Sequence, residues 1–206
     1  AYILAVVLGV VVGVVAAVNH GKWVDSVLMT ISVFGISAPA FWIAIILQIV
    51  ICLKFNLLPL SGIDSFKSFI LPGIALGTRY AASIARITRT SMLDVLSQDY
   101  IRTAEAKGLK GWVVTIKHAL RNALIPIITI AGSDLGNILT GSVLVESVFS
   151  IPGIGKMLVD SINTRDLPIV QGGVMYIAVI CVIMYLVVDL LYTVVDPRIR
   201  LGKESS

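Results

Sequence analysis

Three polar side chains lie within long apolar stretches of the sequence and need a chemical explanation first. Arg79 and Asp134 are ionisable, and Asn137 follows Asp134 by about one helical turn. Charged groups at membrane depth normally face protein or a water-filled cavity rather than lipid. The sequence therefore predicts that these residues line a translocation path or join two helices. No metal site is expected, because Cys52 and Cys181 lie in apolar runs as small hydrophobic residues.

The sequence contains no arrangement typical of a catalytic site. His20 and His118 lie in polar connections, whereas an intramembrane protease needs a nucleophile and a base at the same depth. Residues 150–157 are only weakly similar to a phosphate-binding loop, since Ser150 replaces its first Gly and Met157 its Ser or Thr. We therefore expect no catalytic residue and no ATP site in this chain.

The composition indicates which solvent surrounds these residues. The chain of 206 residues is 57% hydrophobic and 14% charged, whereas soluble domains carry about 25% charged residues. This deficit excludes a disordered chain, a disulfide scaffold and an ordinary soluble enzyme. A helix crosses the bilayer with about 20 apolar residues, so the sequence predicts an all-α, polytopic transmembrane helix bundle in one domain, 1–206. Five spans are predicted, at about 1–18, 26–53, 71–97, 120–145 and 169–195.

Individual residues within the spans predict how the helices meet. Gly9 and Gly13 have the GxxxG spacing that permits close helix approach, and Pro39 is expected to kink or start the second span. The third span carries a polar stripe that recurs with helical spacing, at Arg79, Ser83, Arg86, Thr90 and Ser97. The polar stripe is predicted to face protein or water.

Counting along the third and fourth spans gives Arg79 and Asp134 similar depths. Counted from Thr90 and Asn122, they lie about 16 and 18 Å from the same boundary at 1.5 Å per residue. We therefore hypothesise that Arg79 and Asp134 pair inside the bundle. The pair either packs two helices or lines a path for a transported substrate.

The distribution of basic residues predicts the orientation of the chain. With alternating spans, nine cations lie on one side, which the positive-inside rule makes cytoplasmic. These are Lys22, Arg102, Lys107, Lys110, Lys117, Arg121, Arg198, Arg200 and Lys203. The C-terminus is then cytoplasmic and Ala1 external, and the basic excess is a topology signal rather than a nucleic-acid site. An external start without a basic leader suggests that a first, N-terminal span is missing.

The cytoplasmic loop 99–117 is longer than a simple connection requires. Its first half is amphipathic and helix-forming, with Tyr100, Ala104 and Leu109 as candidate apolar contacts, and Gly108 and Gly111 are expected to break the helix. Such an element either docks into another protein or lies on lipid headgroups. Acidic residues lie among the basic ones in this loop, which favours docking into another protein over binding to anionic lipid headgroups.

This loop resembles the coupling loop of ABC importer permeases, in the branch that carries oligopeptides, dipeptides, glutathione and nickel. The residues that carry the resemblance are Asp99, Tyr100, Ile101, Arg102, Thr103, Ala104, Glu105, Ala106, Lys107, Gly108 and Leu109, followed by 117–126. Arg102, Thr103 and Ala104 stand where the general importer loop has Glu-Ala-Ala, a departure that is usual in this branch. Further motifs extend the resemblance over nearly the whole chain, at 35–42, 57–62, 70–73, 145–156 and 196–200.

The resemblance implies a type I ABC importer permease fold in a bacterial or archaeal inner membrane. It implies a homologous second permease, two ATPase subunits that hold ATP and Mg, and an extracytoplasmic substrate-binding protein. The expected activity is peptide import, with nickel or glutathione import in the same branch as the alternative. An ion-coupled secondary transporter is the other alternative, although such a carrier does not need an ATPase-docking loop.

Overall fold

The computed structural model describes residues 1–195, and within that range the chain is helical and contains no strand. The all-α fold predicted from the sequence is confirmed. The helices, in chain order, are α1 (Tyr2–Val18), α2 (Trp23–Ser37), α3 (Ala40–Leu47) with its π-helical continuation Gln48–Lys54, a 3-10 turn (Phe66–Phe69), α4 (Ile70–Leu96), α5 (Asp99–Ala106), α6 (Gly111–Val113) with its π-helical continuation Val114–Leu120, α7 (Arg121–Val148), α8 (Ile154–Asn163) and α9 (Leu167–Val195). The motif at 196–200 and the cations Arg198, Arg200 and Lys203 lie outside the described residues.

Helix α4 is the centre of the bundle and packs against α1, α2, α3 and α7, while α9 packs against α7 and α8. Buried apolar side chains form one cluster near each end of α4. The coupling-loop cluster comprises Ala17, Ile84, Met92, Ile101, Ala104, Val114, Ala119, Ala123 and Ile127. The far-end cluster comprises Ala44, Cys52, Leu71, Ala75, Val145 and Phe149.

Glycines bring α1 into backbone contact with α4, as the GxxxG spacing predicts. A Cβ atom added to Gly9 would lie 2.6 Å from the carbonyl oxygen of Ala81, and one added to Gly13 would lie 2.5 Å from that of Ala85. Neither distance leaves room for a methyl group. The two helices therefore pack closely only with glycine at these positions.

The second predicted span is interrupted at Pro39. The helices Trp23–Ser37 and Ala40–Lys54 meet there at an angle of 102°. Ala38, which precedes the proline, has the extended backbone that a following proline ring favours. The break expected at Pro39 is therefore confirmed, and it is a sharp bend rather than a mild kink.

Two helices among the described residues are long and apolar enough to cross a membrane, Gly111–Leu135 and Leu167–Val188. The bent pair Trp23–Ser37 and Ala40–Lys54 makes a third when it is counted as one span, and Tyr2–Val18 is apolar but shorter. Helix α4 is not among these spans, and it carries four charged side chains. The five-span arrangement stays a prediction.

Candidate coupling surface and polar path

Helix α5 is a short helix with an acidic residue in its first turn and a capped C-terminus. It begins at Asp99, whose carboxylate lies in the first turn, where the helix dipole favours negative charge. At the other end, the N–H of Gly108 donates to the carbonyl of Glu105 (2.9 Å) and the N–H of Leu109 donates to that of Ala104 (3.4 Å). This is a Schellman cap, which requires the positive φ of +74° that Gly108 adopts. The helix break expected at Gly108 is confirmed.

One face of α5 is anchored to the bundle. Ile101 and Ala104 are 1% and 7% exposed and belong to the coupling-loop cluster, which also contains side chains of α1, α4 and α7, and α5 packs directly against the π-helical continuation Val114–Leu120. Ala104 is thus an apolar contact as expected, but Tyr100 and Leu109 are exposed by 45% and 41%. Ile101 is the anchor that the sequence interpretation missed. Its spacing of three from Ala104 is the signal that could have found it.

The other face of α5 is exposed and polar. It presents Asp99, Arg102, Thr103, Glu105, Ala106 and Lys107. The only ion pair among these residues joins Arg102 to Asp99 over 3.8 Å, and both side chains are well exposed. Such a surface pair contributes little to stability, so this charged face remains available to a partner.

A buried ion pair joins α2 to α4 at the same end of the bundle. Asp25 is 4% exposed, and its two oxygens accept from the Nε and Nη2 atoms of Arg89 at 2.6 and 2.7 Å. The N–H of Gly21 donates to the same carboxylate, and the Nδ1 atom of His20 lies 3.2 Å from it. The bidentate geometry makes this a strong, directional link.

The sequence interpretation did not identify this link. It gave Arg89 no partner, whereas the structure pairs Arg89 with a residue 64 positions away. A signal was present, since Asp25 is the first acidic residue of the chain and stands at the entrance to an uncharged run. A lone acid at such a position requires a cation on a neighbouring helix.

The polar residues Arg79, Asp134 and Asn137 of the third and fourth predicted spans do not form a buried ion pair of the kind that joins Asp25 to Arg89. Arg79 is exposed on α4, while Asp134 on α7 is partly buried, and its Oδ2 atom accepts no hydrogen bond from a described residue. Asn137 hydrogen-bonds to the Asp134 carboxylate, and the hydroxyl of Tyr185 on α9 lies 3.5 Å from Asn137 Oδ1. Asp134 and Asn137 therefore form a polar group where α7 meets α9.

Arg79 lies close enough to Asp134 for an electrostatic interaction. The ion pairs within 4.0 Å that join described residues do not include these two side chains. The direct pair between them stays a prediction. Among the described residues, 1–195, no three His, Cys, Asp or Glu side chains are grouped so that they could hold a metal ion.

At the far end, Glu146 on α7 holds the start of α8. Its Oε2 atom accepts from the backbone N–H groups of Gly155 and Lys156 at 2.8 and 3.3 Å, and its Oε1 atom accepts from the Ser142 hydroxyl at 2.8 Å. A Cβ atom added to Gly153 would lie 2.3 Å from Oε2. Glu146 is thus an N-terminal cap for α8 supplied by another helix.

Gln48 makes a second link at the far end. Its Nε2 atom donates to the carbonyl oxygens of Leu60 and Val148, at 2.9 and 3.0 Å. It therefore ties the π-helical continuation of α3 to the loop after it and to the end of α7.

A cavity of about 890 Å³ lies between α1, α2, α4 and the end of α7. Its lining is mostly apolar, and Leu8, Ile31 and Ala82 are typical of it. Arg79, Asp134 and Asn137 do not line this cavity. The polar path predicted from the sequence is therefore separate from it.

Residues 9–201 match the protein family described as the inner membrane component of binding-protein-dependent transport systems. The chain belongs to this family. The resemblance to ABC importer permeases that the loop motifs indicated is thereby confirmed. The glutathione transport system permease protein GsiC of Escherichia coli K12 is 45% identical over 196 residues, which are 95% of this chain and 64% of that protein. GsiC of Salmonella choleraesuis SC-B67 is also 45% identical, over 198 residues, which are 96% of this chain and 65% of the relative.

The chain therefore spans about 64% of the length of the curated relatives that it matches. A solved structure described as an amino acid ABC transporter with histidines contains a chain of similar fold. The TM-score is 0.66 at 18% identity, with 96% of this chain and 88% of that chain covered. This likeness confirms the expected fold of an ABC transporter membrane chain.

Proposed function

We propose that this chain is the permease subunit of an ATP-driven importer for small peptides. Glutathione, the solute in the relatives' names, is the first candidate. A homologous second permease completes the path, an extracytoplasmic binding protein delivers the solute, and two ATPase subunits hold ATP and Mg. Nickel import in the same branch is the alternative. No residue of this chain carries out covalent chemistry in this proposal.

The observation that carries the proposal is the two-sided character of α5. Ile101 and Ala104 fasten one face to the coupling-loop cluster through the segment Val114–Leu120, while the opposite face is charged and exposed. The Schellman cap at Gly108 ends the helix at a defined residue. A short helix of this kind transmits a push from a docked protein to the coupling-loop cluster, in which α1, α4 and α7 also take part. We therefore assign the exposed face of α5 to an ATPase subunit.

The proposal includes an orientation and a path. The cytoplasmic side is the side of α5, because the loop 99–117 carries the densest group of cations. The polar residues Arg79, Asp134 and Asn137 lie along the path, since ionisable groups at membrane depth face water or protein. ATP-driven movement of α5 then switches the helices between inward-facing and outward-facing arrangements.

The cap at Gly108 gives the sharpest test. In the Gly108→Val variant a β-branched residue must adopt a φ of +74°, which costs at least about 1 kcal/mol and distorts the end of α5. Gly111→Val is the matched control, because a Cβ atom at either glycine meets nothing within 4 Å and only Gly108 has a positive φ. We expect Gly108→Val to uncouple ATP hydrolysis from glutathione uptake in the reconstituted importer, and Gly111→Val to leave them coupled.

Glu105→Lys tests the same surface without straining the backbone, since Glu105 is exposed and outside the cluster. We expect a loss of uptake with normal membrane insertion. Coupled, substrate-stimulated hydrolysis in both Gly108→Val and Glu105→Lys would refute the docking role. Uptake that persists without the ATPase subunits would favour the secondary transporter.

A further inference from the structure

The polar stripe of α4 lies on the side of the helix that its neighbours leave uncovered. At about 100° per residue, Arg79, Ser83, Arg86 and Thr90 fall within about 60° of one another. Arg79, Arg86 and Thr90 are exposed and Ser83 is partly exposed. Helices α1, α2, α3 and α7 pack against α4, and they leave this strip open. Four of the five residues of the predicted stripe thus form a continuous surface feature of α4, and the fifth, Ser97, is the C-cap residue that follows the helix.

The three arginines of α4 differ in how their charges are neutralised. Arg89 is held by both oxygens of Asp25 at 2.6 and 2.7 Å. Arg79 and Arg86 have no ion pair within 4.0 Å to a described residue. Asp134 interacts with Arg79 only over a longer distance. The stripe therefore carries two guanidinium groups without a bound carboxylate.

The spacing of these two groups gives the stripe an extended positive character. Seven residues separate Arg79 from Arg86, which is about 10 Å along the helix. The next acidic side chain on this side of α4 is Asp94, which lies two turns beyond Arg86, towards the coupling loop. Between low-dielectric walls, such charges produce a potential that concentrates anions and repels cations.

Resting on the proposed permease function, we propose that this stripe is an anion-attracting wall of the translocation path. The solute that passes it carries at least one anionic group such as a carboxylate. A free divalent cation is a poor solute for this path, because it meets in succession two guanidinium groups that no carboxylate of a described residue holds within 4.0 Å. The alternative of nickel import is then restricted to nickel held in an anionic complex.

A cysteine at position 83 tests the wall directly and requires no knowledge of the solute. Ser83 lies four residues after Arg79 and three before Arg86. Ser83→Cys is made in the assembled importer, in a background with Cys52→Ser and Cys181→Ser. It is treated with methanethiosulfonates that carry either a sulfonate or a trimethylammonium group, and each rate is normalised to that of a free thiol. Val179→Cys, on an exposed apolar part of α9, is the control that neither reagent reaches through lipid.

We expect the normalised rates at Ser83→Cys to favour the sulfonate by about 10-fold. When Arg79→Gln and Arg86→Gln are added to Ser83→Cys, the two normalised rates should become nearly equal. When Arg86→Lys is added instead, the preference for the sulfonate reagent should remain. Equal rates before these changes, or a preference that the Gln variants leave intact, would overturn the anionic wall and leave the permease function standing. A thiol that reacts with neither reagent until the protein is denatured would overturn the path itself. If Ser83→Cys does not assemble, Thr90→Cys on the same stripe takes its place.

Discussion

At the end of the bundle that carries the coupling loop, α2 and α4 are joined by two charged side chains. At the far end, α7 holds the start of α8 through one carboxylate and backbone N–H groups. Asp25 and Arg89 neutralise each other as an ion pair, whereas Glu146 is satisfied by dipoles at 2.8 to 3.3 Å. The first link fixes one helix of the bundle against another, while the second fixes a connecting segment onto a helix.

This difference matches what each end does in the proposed transport cycle. Movement of α5 reaches the spans only through rigid contacts, and the Asp25–Arg89 pair adds α2 to the helices that share the coupling-loop cluster with α5. The far end has to receive a solute, and a cap on α8 leaves the spans themselves unlinked by charge. Three substitutions test whether the contrast between the two ends holds.

The largest effect is expected at the coupling end. Asp25→Ala leaves the Arg89 guanidinium without its carboxylate in a mostly buried position, which we expect to destabilise the protein by about 3 kcal/mol. The measurement is the thermal unfolding of the purified permease assembly. The double variant Asp25→Leu with Arg89→Met should recover most of the loss, because it removes both charges. A single variant as stable as the parent would show that the pair does not hold α2 to α4.

An intermediate effect is expected at the far end. Glu146→Ala removes acceptors from two backbone N–H groups at the start of α8, a loss of about 2 kcal/mol. Hydrogen exchange at the Gly155 and Lys156 amides should accelerate, while exchange in α5 stays unchanged. Glu146→Gln is the matched control, since its carbonyl oxygen still accepts from these groups. Unchanged exchange in Glu146→Ala would contradict the cap.

The smallest effect is expected for His20, which shares the Asp25 carboxylate with Arg89. Its side chain is 60% exposed, so His20→Ala should cost about 0.5 kcal/mol. Comparing the thermal unfolding of His20→Ala with that of Asp25→Ala separates the contribution of His20 from that of Arg89 to the stability of the link. Equal losses in the two variants would mean that the imidazole, and not the guanidinium alone, holds the link.

Much of the helix pattern could be predicted from the sequence because it depends on local chemistry. Gly108 ends α5 because a Schellman cap needs a positive φ, and Pro39 breaks the second span because proline disfavours continuation of the helix before it. The GxxxG spacing of Gly9 and Gly13 likewise predicted close contact, although the partner helix became known only from the structure. Spacing also identified the stripe on α4.

The remaining features depend on tertiary neighbours that local spacing does not specify. Asp25 and Arg89 are 64 residues apart, and Glu146 reaches α8 across the break at 149–153. Counting residues gave Arg79 and Asp134 the same height in the bundle, but height does not specify the direction in which each helix turns its side chain. Whether Tyr100 faces inward or outward depends in the same way on how α5 is rotated against the cluster.

The charges on α4 have a consequence for how the protein is made. A helix with Arg79, Arg86, Arg89 and Asp94 is a poor substrate for insertion into lipid by itself, and α4 is not among the helices long and apolar enough to cross alone. Its backbone contact with α1 through Gly9 and Gly13 supplies an apolar companion that has already been synthesised when α4 emerges. We therefore expect α4 to enter the bilayer together with α1 rather than alone.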